Sequence, residues 1–191
     1  MLLLIIGLVL FLGVHSISIV APRRRDAWAA AMGVNAWRGI YSLLSLAGFV
    51  LLVIGYAEAR RHPVPLYFPP VWLRHVTFAL MLPVFPLIFA AYLPGRIRQA
   101  LKHPMLVAVK TWAVAHLLAN GMLADVLLFG GFLVWAVFDR ISVGRRPPRP
   151  MMMPLPAPSL RNDIIAVVLG LALYLATVLW LHRLLIGMPL A

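Results

Sequence analysis

The chain of 191 residues contains no cysteine. A disulfide framework, a thiolate metal site and a cysteine nucleophile are therefore excluded. Acidic residues are almost as scarce. The only five are Asp26, Glu58, Asp125, Asp139 and Asp163, and at most one falls inside an apolar run. That leaves no pair of carboxylates for acid/base hydrolysis and no oxygen cage for Ca²⁺ or Mg²⁺. Charged residues make up 12% of the chain, where a soluble domain of this size needs roughly 25% to cover its surface. There is no glycine-rich phosphate loop, Walker motif or nucleophile elbow, no internal repeat, and no polar stretch long enough for a second domain. Soluble-enzyme chemistry is thereby set aside.

What fills the chain is hydrocarbon. Hydrophobic residues account for 63% of it and the mean hydropathy is +0.97. Several apolar runs approach the ~20 residues that cross a bilayer core about 30 Å thick. The pattern predicts an all-α integral membrane protein, a single membrane domain over 1–191 with about six transmembrane helices. The expected spans are Leu2–Val20, Gly39–Ala57, Val71–Leu93 with a kink at Pro83 and Pro86, Pro104 to the Asn120-Gly121 stop signal, Met122–Phe138, and Ile164–Leu185. Ser159, Asn162 and Asp163 are the candidate caps of the last. The first span has no basic residues ahead of it and no small-residue cleavage site before its basic flank, so it is expected to be a retained helix rather than a signal peptide.

The net charge of +12 suits anionic lipid and membrane topology better than nucleic acid, and no nucleic-acid partner is expected. With six spans, both termini share a side. If they lie outside, the inner loops hold twelve basic residues, among them Arg23, Arg24, Arg25, Arg96, Arg98, Lys102 and Arg140. The outer side holds four, namely Arg60, Arg61, Arg74 and Arg183. This positive-inside bias predicts a multi-pass protein of the bacterial inner membrane with periplasmic termini. Pro63–Pro70, with Tyr67, Phe68 and Trp72, suits an interfacial aromatic anchor. Arg145–Pro158 has six prolines and three consecutive methionines and suits an extended linker.

Polar side chains inside spans carry the functional signal, because each is costly in lipid unless it faces a partner or a cavity. They are His15, Lys110, His116, Asn120 and Asp125. Two imidazoles from different helices suit the axial positions of a haem iron. Trp112, His116 and Asn120, spaced i, i+4, i+8, would share one helix face, and a planar indole beside an imidazole suits a large flat ligand. The alternative is that each histidine makes one interhelical hydrogen bond and binds no ligand. Lys110 either snorkels to the cytoplasmic interface or pairs with a propionate or another anion. Asp125 follows the turn near the outer face, where a carboxylate at a helix start is tolerated. His103 sits at the cytoplasmic mouth of the fourth span, and His62, His75 and His182 read as interfacial.

The stretch His103-Pro104-Met105-Leu106, Lys110-Thr111-Trp112-Ala113, His116-Leu117-Leu118-Ala119-Asn120-Gly121, Leu127-Leu128-Phe129-Gly130, Trp135-Ala136-Val137 and Asp139-Arg140 closely resembles the NnrU family of bacterial membrane proteins. Gly13-Val14-His15-Ser16 fits as well. The resemblance spans nearly the whole chain. It implies a link to nitrite and nitric oxide reduction in denitrifying bacteria, and kinship with 15-cis-ζ-carotene isomerase, a membrane enzyme that uses haem b. The isomerase's two axial histidines look like His15 and His116 by position. One departure stands out. The isomerase has a cysteine three residues before its second histidine, and this chain has Ala113, which argues against a ligand-switching isomerase mechanism.

Three readings follow. One is a haem b protein with isomerase-like or redox chemistry on a hydrophobic substrate or nitric oxide. Another is a haem-binding accessory or sensor without turnover. The third is a haem-free membrane protein whose polar residues only pack helices. A methyltransferase of the isoprenylcysteine type would need polar and acidic cofactor-binding residues near the C-terminus, which is apolar here. The charge count also generates a test. Reporter fusions after Pro148 and at the C-terminus should report cytoplasm and periplasm respectively; if both report one side, a span is miscounted.

Overall fold

The computed structural model describes residues 1–145 and 157–190. They form helices and connecting loops, with no strand among the described residues beyond a single bridge between Pro65 and Met122. In chain order the helices are α1 (Leu2–Val20), α2 (Pro22–Met32), α3 (Val34–Ala59), α4 (Leu73–Met81), α5 (Val84–Tyr92), α6 (Arg96–Leu101), α7 (Pro104–Ala119), α8 (Leu123–Arg145), α9 (Leu160–Ala176) and α10 (His182–Ile186). A five-residue π-helical turn, Thr177–Leu181, joins the last two. Five stretches are long and apolar enough to cross a membrane: α1, α3, α4 with α5, α8, and Leu160–Ile186. The sixth expected span is α7, apolar but only 16 residues long, which at 1.5 Å per residue reaches about 24 Å.

Large apolar side chains face outward along these helices. Leu43 is 69% exposed, Val9 69% and Leu185 74%. Water would penalise such a surface heavily, whereas a bilayer covers it without loss. The chain is an integral membrane protein built from helices, as its composition predicts.

The described residues fall into two units. The first comprises Met1–Phe68 and Asn120–Arg145; the second comprises Pro69–Ala119 and the residues from 157 onward. The first unit is organised by backbone contact between α1 and α3. A Cβ added at Gly55 would strike the backbone of Leu3 and Leu4, one at Gly7 the backbone of Leu51 and Leu52, and one at Gly48 the backbone of Phe11. The paired numbers run in opposite directions, so the helices are antiparallel. Small residues allow this approach, and dispersion plus weak Cα–H contacts stabilise it where lipid offers no hydrophobic contrast. Against the same α1, Leu4, Leu8, Leu52, Ala59 and Ala124 form the core. The α8 helix runs parallel to α1, with Gly131 beside Leu8 and Leu12.

The chain leaves the first unit after Phe68 and returns at Asn120. Exit and return are tied together: the Leu66 and Tyr67 amides donate to the Gly121 carbonyl, and the Leu123 amide donates to Val64. Only glycine fits at 121, because a Cβ would collide with the Tyr67 carbonyl. Within the second unit, Thr77 on α4 donates to the Ala115 carbonyl near the end of α7 at 2.9 Å. The segment 69–119 is therefore a hairpin that starts and finishes at one end.

Several boundaries differ from the sequence reading. The second span begins at Val34 rather than Gly39, and the fifth continues past Phe138 to Arg145, since polar helical residues prolong a span beyond the lipid. The third breaks into two helices at Leu82-Pro83, because proline lacks the N–H that would continue the ladder. Two further helices, α2 and α6, lie in the basic loops. Of the three candidate caps, Ser159 caps α9 through the Arg161 amide. Asp163 is instead buried and accepts from the Arg96 and Ile97 amides at the start of α6, while Asn162 donates to the Pro94 carbonyl. Phe68 and Trp72 are exposed, as an interfacial anchor requires. Most of the proline-rich Arg145–Pro158 stretch lies outside the described residues.

The close packing of α1 on α3 is testable. Gly55→Ala should destabilise the protein by about 1–3 kcal/mol through overpacking. Gly13→Ala, where nothing lies within 4 Å, should be neutral or stabilising by up to about 1 kcal/mol. Thermal unfolding in detergent measures both, and equal effects would contradict the packing described.

Candidate functional site

In the first unit, Leu4, Leu8, Phe11 and His15 recur at spacings of four, three and four along α1 and so share the helix face turned toward α3 and α8. His15 Nδ1 lies 2.7 Å from the Phe11 carbonyl oxygen. A carbonyl only accepts, so Nδ1 is the donor of this bond. Three rings surround it. Phe11 stacks at 4.2 Å between centroids, Tyr41 from α3 lies at 5.3 Å, and Trp135 from α8 stands edge-on at 6.0 Å. The aromatic series continues from Tyr41 to Trp37 at 6.4 Å and on to Trp28 at 6.3 Å. The Arg25 guanidinium sits over Trp37 and pairs with Asp26.

In the second unit, α7 presents His116 in the same way. Its Nδ1 lies 2.9 Å from the Trp112 carbonyl oxygen, and the two rings are 5.4 Å apart. Trp112 and His116 therefore share a face as the spacing predicts. Asn120 does not extend it. The helix stops at Ala119, because the next residues are taken by the exit-and-return turn of the first unit, where the Asn120 carbonyl accepts from Tyr67 Oη at 2.8 Å. Lys110 is half-buried and stands roughly 200° around α7 from Trp112 at 3.6 residues per turn, on a different face from the imidazole.

Asp125 is more deeply placed than a helix-start carboxylate needs to be. It is 5% exposed and accepts from Tyr56 Oη at 2.7 Å and from the Met122 amide at 3.1 Å. Phe129 packs edge-on to the Tyr56 ring, and the Arg60 guanidinium lies 5.8 Å from its centroid. In the adjoining loop, burial pushes the Tyr67 phenol above its ordinary range, and the Asp125 carboxylate adds to the shift. Tyr56 was not legible as a site residue, since nothing in its local sequence marks a partner 69 residues away. Tyr41 was equally invisible. Trp135 was marked only as part of the family-like Trp135-Ala136-Val137 stretch.

Among the described residues, no three His, Asp or Glu side chains converge as a metal cage. Separate imidazoles with carbonyl-anchored Nδ1 suit an iron whose other four ligands come from a macrocycle. The anchor fixes ring orientation and raises the basicity of Nε2. Each imidazole, among the aromatic side chains of its own unit, is of a kind that could ligate a haem iron.

The fold defines a polytopic α-helical membrane protein with one intramembrane histidine of this kind in each unit. The chain belongs to the NnrU family: it matches the family described as "NnrU protein" over residues 3–190. No curated protein and no solved structure matches it.

The Tyr56–Asp125 pair yields a prediction of its own. Tyr56→Phe removes a donor from a buried carboxylate and should lower stability by about 1–3 kcal/mol. Replacing both partners, as Tyr56→Phe with Asp125→Leu, should recover part of the loss. A thermal double-mutant cycle in detergent measures the coupling, and purely additive effects would show that the hydrogen bond contributes nothing.

Proposed function

We infer that this protein binds haem b in the bacterial inner membrane, with His15 and His116 as the axial ligands of the iron. The observation that carries the proposal is the common setting of the two imidazoles. Each lies on an apolar helix and is anchored through Nδ1 to the carbonyl four residues earlier. Kinship with a haem b isomerase supports the same pair. The twelve-to-four distribution of basic residues supports periplasmic termini.

When bound, haem would supply a redox-active iron and, in a five-coordinate form, an open position for a diatomic ligand. The chain's own contribution is to orient two imidazoles, exclude water through Phe11, Tyr41, Trp112 and Trp135, and keep the surroundings of low polarity. With Ala113 in place of a cysteine, the chain has no thiolate for ligand exchange. That favours a role with nitrogen oxides in denitrification, as a redox or sensing component, over isomerisation of a hydrophobic substrate.

Optical spectroscopy of the purified protein tests this. The reduced wild type should show sharp low-spin alpha and beta bands. His15→Ala and His116→Ala should each abolish them, while His62→Ala and His182→Ala should leave them intact. Loss from only one of the first pair would establish a five-coordinate site. A wild type that purifies colourless and takes up no added haem would overturn the proposal.

A further inference from the structure

Beside His15 the structure holds a donor with nothing to donate to. The indole Nε1 of Trp135 is buried and makes no hydrogen bond, although Trp135 stands edge-on to the His15 ring at 6.0 Å. Most buried polar groups in lipid are satisfied internally, and leaving one unpaired costs about 1–3 kcal/mol. Elsewhere in this unit Tyr56 and Asp125 pair, and His15 Nδ1 has its carbonyl. A second buried polar atom, Ser45 Oγ, lies one turn beyond Tyr41 on α3. It is near enough to the Tyr41 phenol to interact with it, yet it lacks hydrogen-bond geometry. A phenylalanine would fill the place of Trp135 without an orphaned N–H. The donor makes physical sense if an acceptor arrives with a bound group.

That acceptor is best an anion. Trp135 lies four residues before Asp139 and five before Arg140 on α8, toward the end of the unit where Arg25 packs over Trp37 and Trp37 meets Tyr41. Arg23, Arg24 and Arg38 are exposed at the same end of the chain path. A carboxylate carried on a flat apolar group seated at His15 would meet an N–H donor and a positive field there.

We propose that the Trp135 indole N–H is a positioning donor for a carboxylate of the group ligated by His15, which for haem is a propionate. This rests on the haem reading above and assigns to Trp135 a role that the metal-binding histidines do not fill. It acts on orientation and affinity rather than on iron ligation.

The experiment compares wild type and Trp135→Phe, each full length in detergent, for binding of haem and of an iron porphyrin with ethyl groups in place of both propionates. Wild type should prefer haem over the propionate-free analogue by roughly ten-fold more than Trp135→Phe does, the value of one charge-assisted hydrogen bond. Both proteins should keep the low-spin spectrum, since the axial ligands are untouched. Ultraviolet resonance Raman of the indole N–H in the wild type supplies an independent readout: the band should move to its hydrogen-bonded position on loading with haem and stay unmoved with the analogue. An identical preference in both proteins, or an N–H band indifferent to haem, overturns the role of Trp135. Failure of the wild type to bind either porphyrin overturns the haem reading itself. If Trp135→Phe does not fold, the Raman measurement on wild type decides alone.

Discussion

Contact between the backbones of α1 and α3 governs the first unit. Lipid tails are as apolar as leucine, so burial of hydrocarbon does little to hold two helices together in a membrane. Association depends on how closely they approach, and Gly7, Gly48 and Gly55 place one backbone against the other over about two turns. That antiparallel pair sets the rotation of α1. With Gly7 against α3, the Leu4, Leu8, Phe11, His15 face is turned toward α3 and α8, and the opposite face, with Ile5, Val9 and Gly13, is left as an open apolar groove. The position of His15 among Phe11, Tyr41 and Trp135 is a consequence of glycine placement, at Gly7 two turns earlier on α1 and at Gly48 and Gly55 on α3.

The second constraint is the intolerance of a bilayer for unpaired polar groups. It explains why so few polar residues occupy the spans and why nearly all have definite partners. Asp125 is held by Tyr56 and a backbone amide. Asp163, buried near the start of α9, satisfies two amides of α6, and a Cβ at Gly95 would strike its carboxylate. His15 and His116 each set Nδ1 against a carbonyl of their own helix. Trp135 and Ser45 stand out by the same criterion: the indole N–H and the hydroxyl are buried and retain bonding capacity that packing does not consume.

Much of this was legible from residues alone, though unevenly. Hydrophobic runs identify the spans because their length is set by bilayer thickness, a one-dimensional quantity. Leu2–Val20 and the start of α7 at Pro104 coincide with expectation, as does the proline break after Leu82. The boundaries of α3 and α8 were harder, since helices continue into the interface on polar residues that carry no hydropathy signal. The helix α2, rich in arginine and alanine, has no apolar stripe to announce it. His15 and His116 were legible because an ionisable ring in an apolar run is conspicuous. Asn120 was misplaced on the face of α7, because the spacing argument assumes a helix that the backbone pairing of Gly121 with Leu66 and Tyr67 terminates.

The sequence by itself determined the class of protein, the family and the approximate spans, since composition and periodicity are properties of single segments. Tertiary structure alone decided which side chains share surroundings. The meeting of Tyr56 with Asp125 across 69 residues, of Tyr41 and Trp135 with His15, and of Asp163 with the amides of α6 each depends on helix rotation and close approach. Those are fixed by contacts between segments, and no local pattern encodes them.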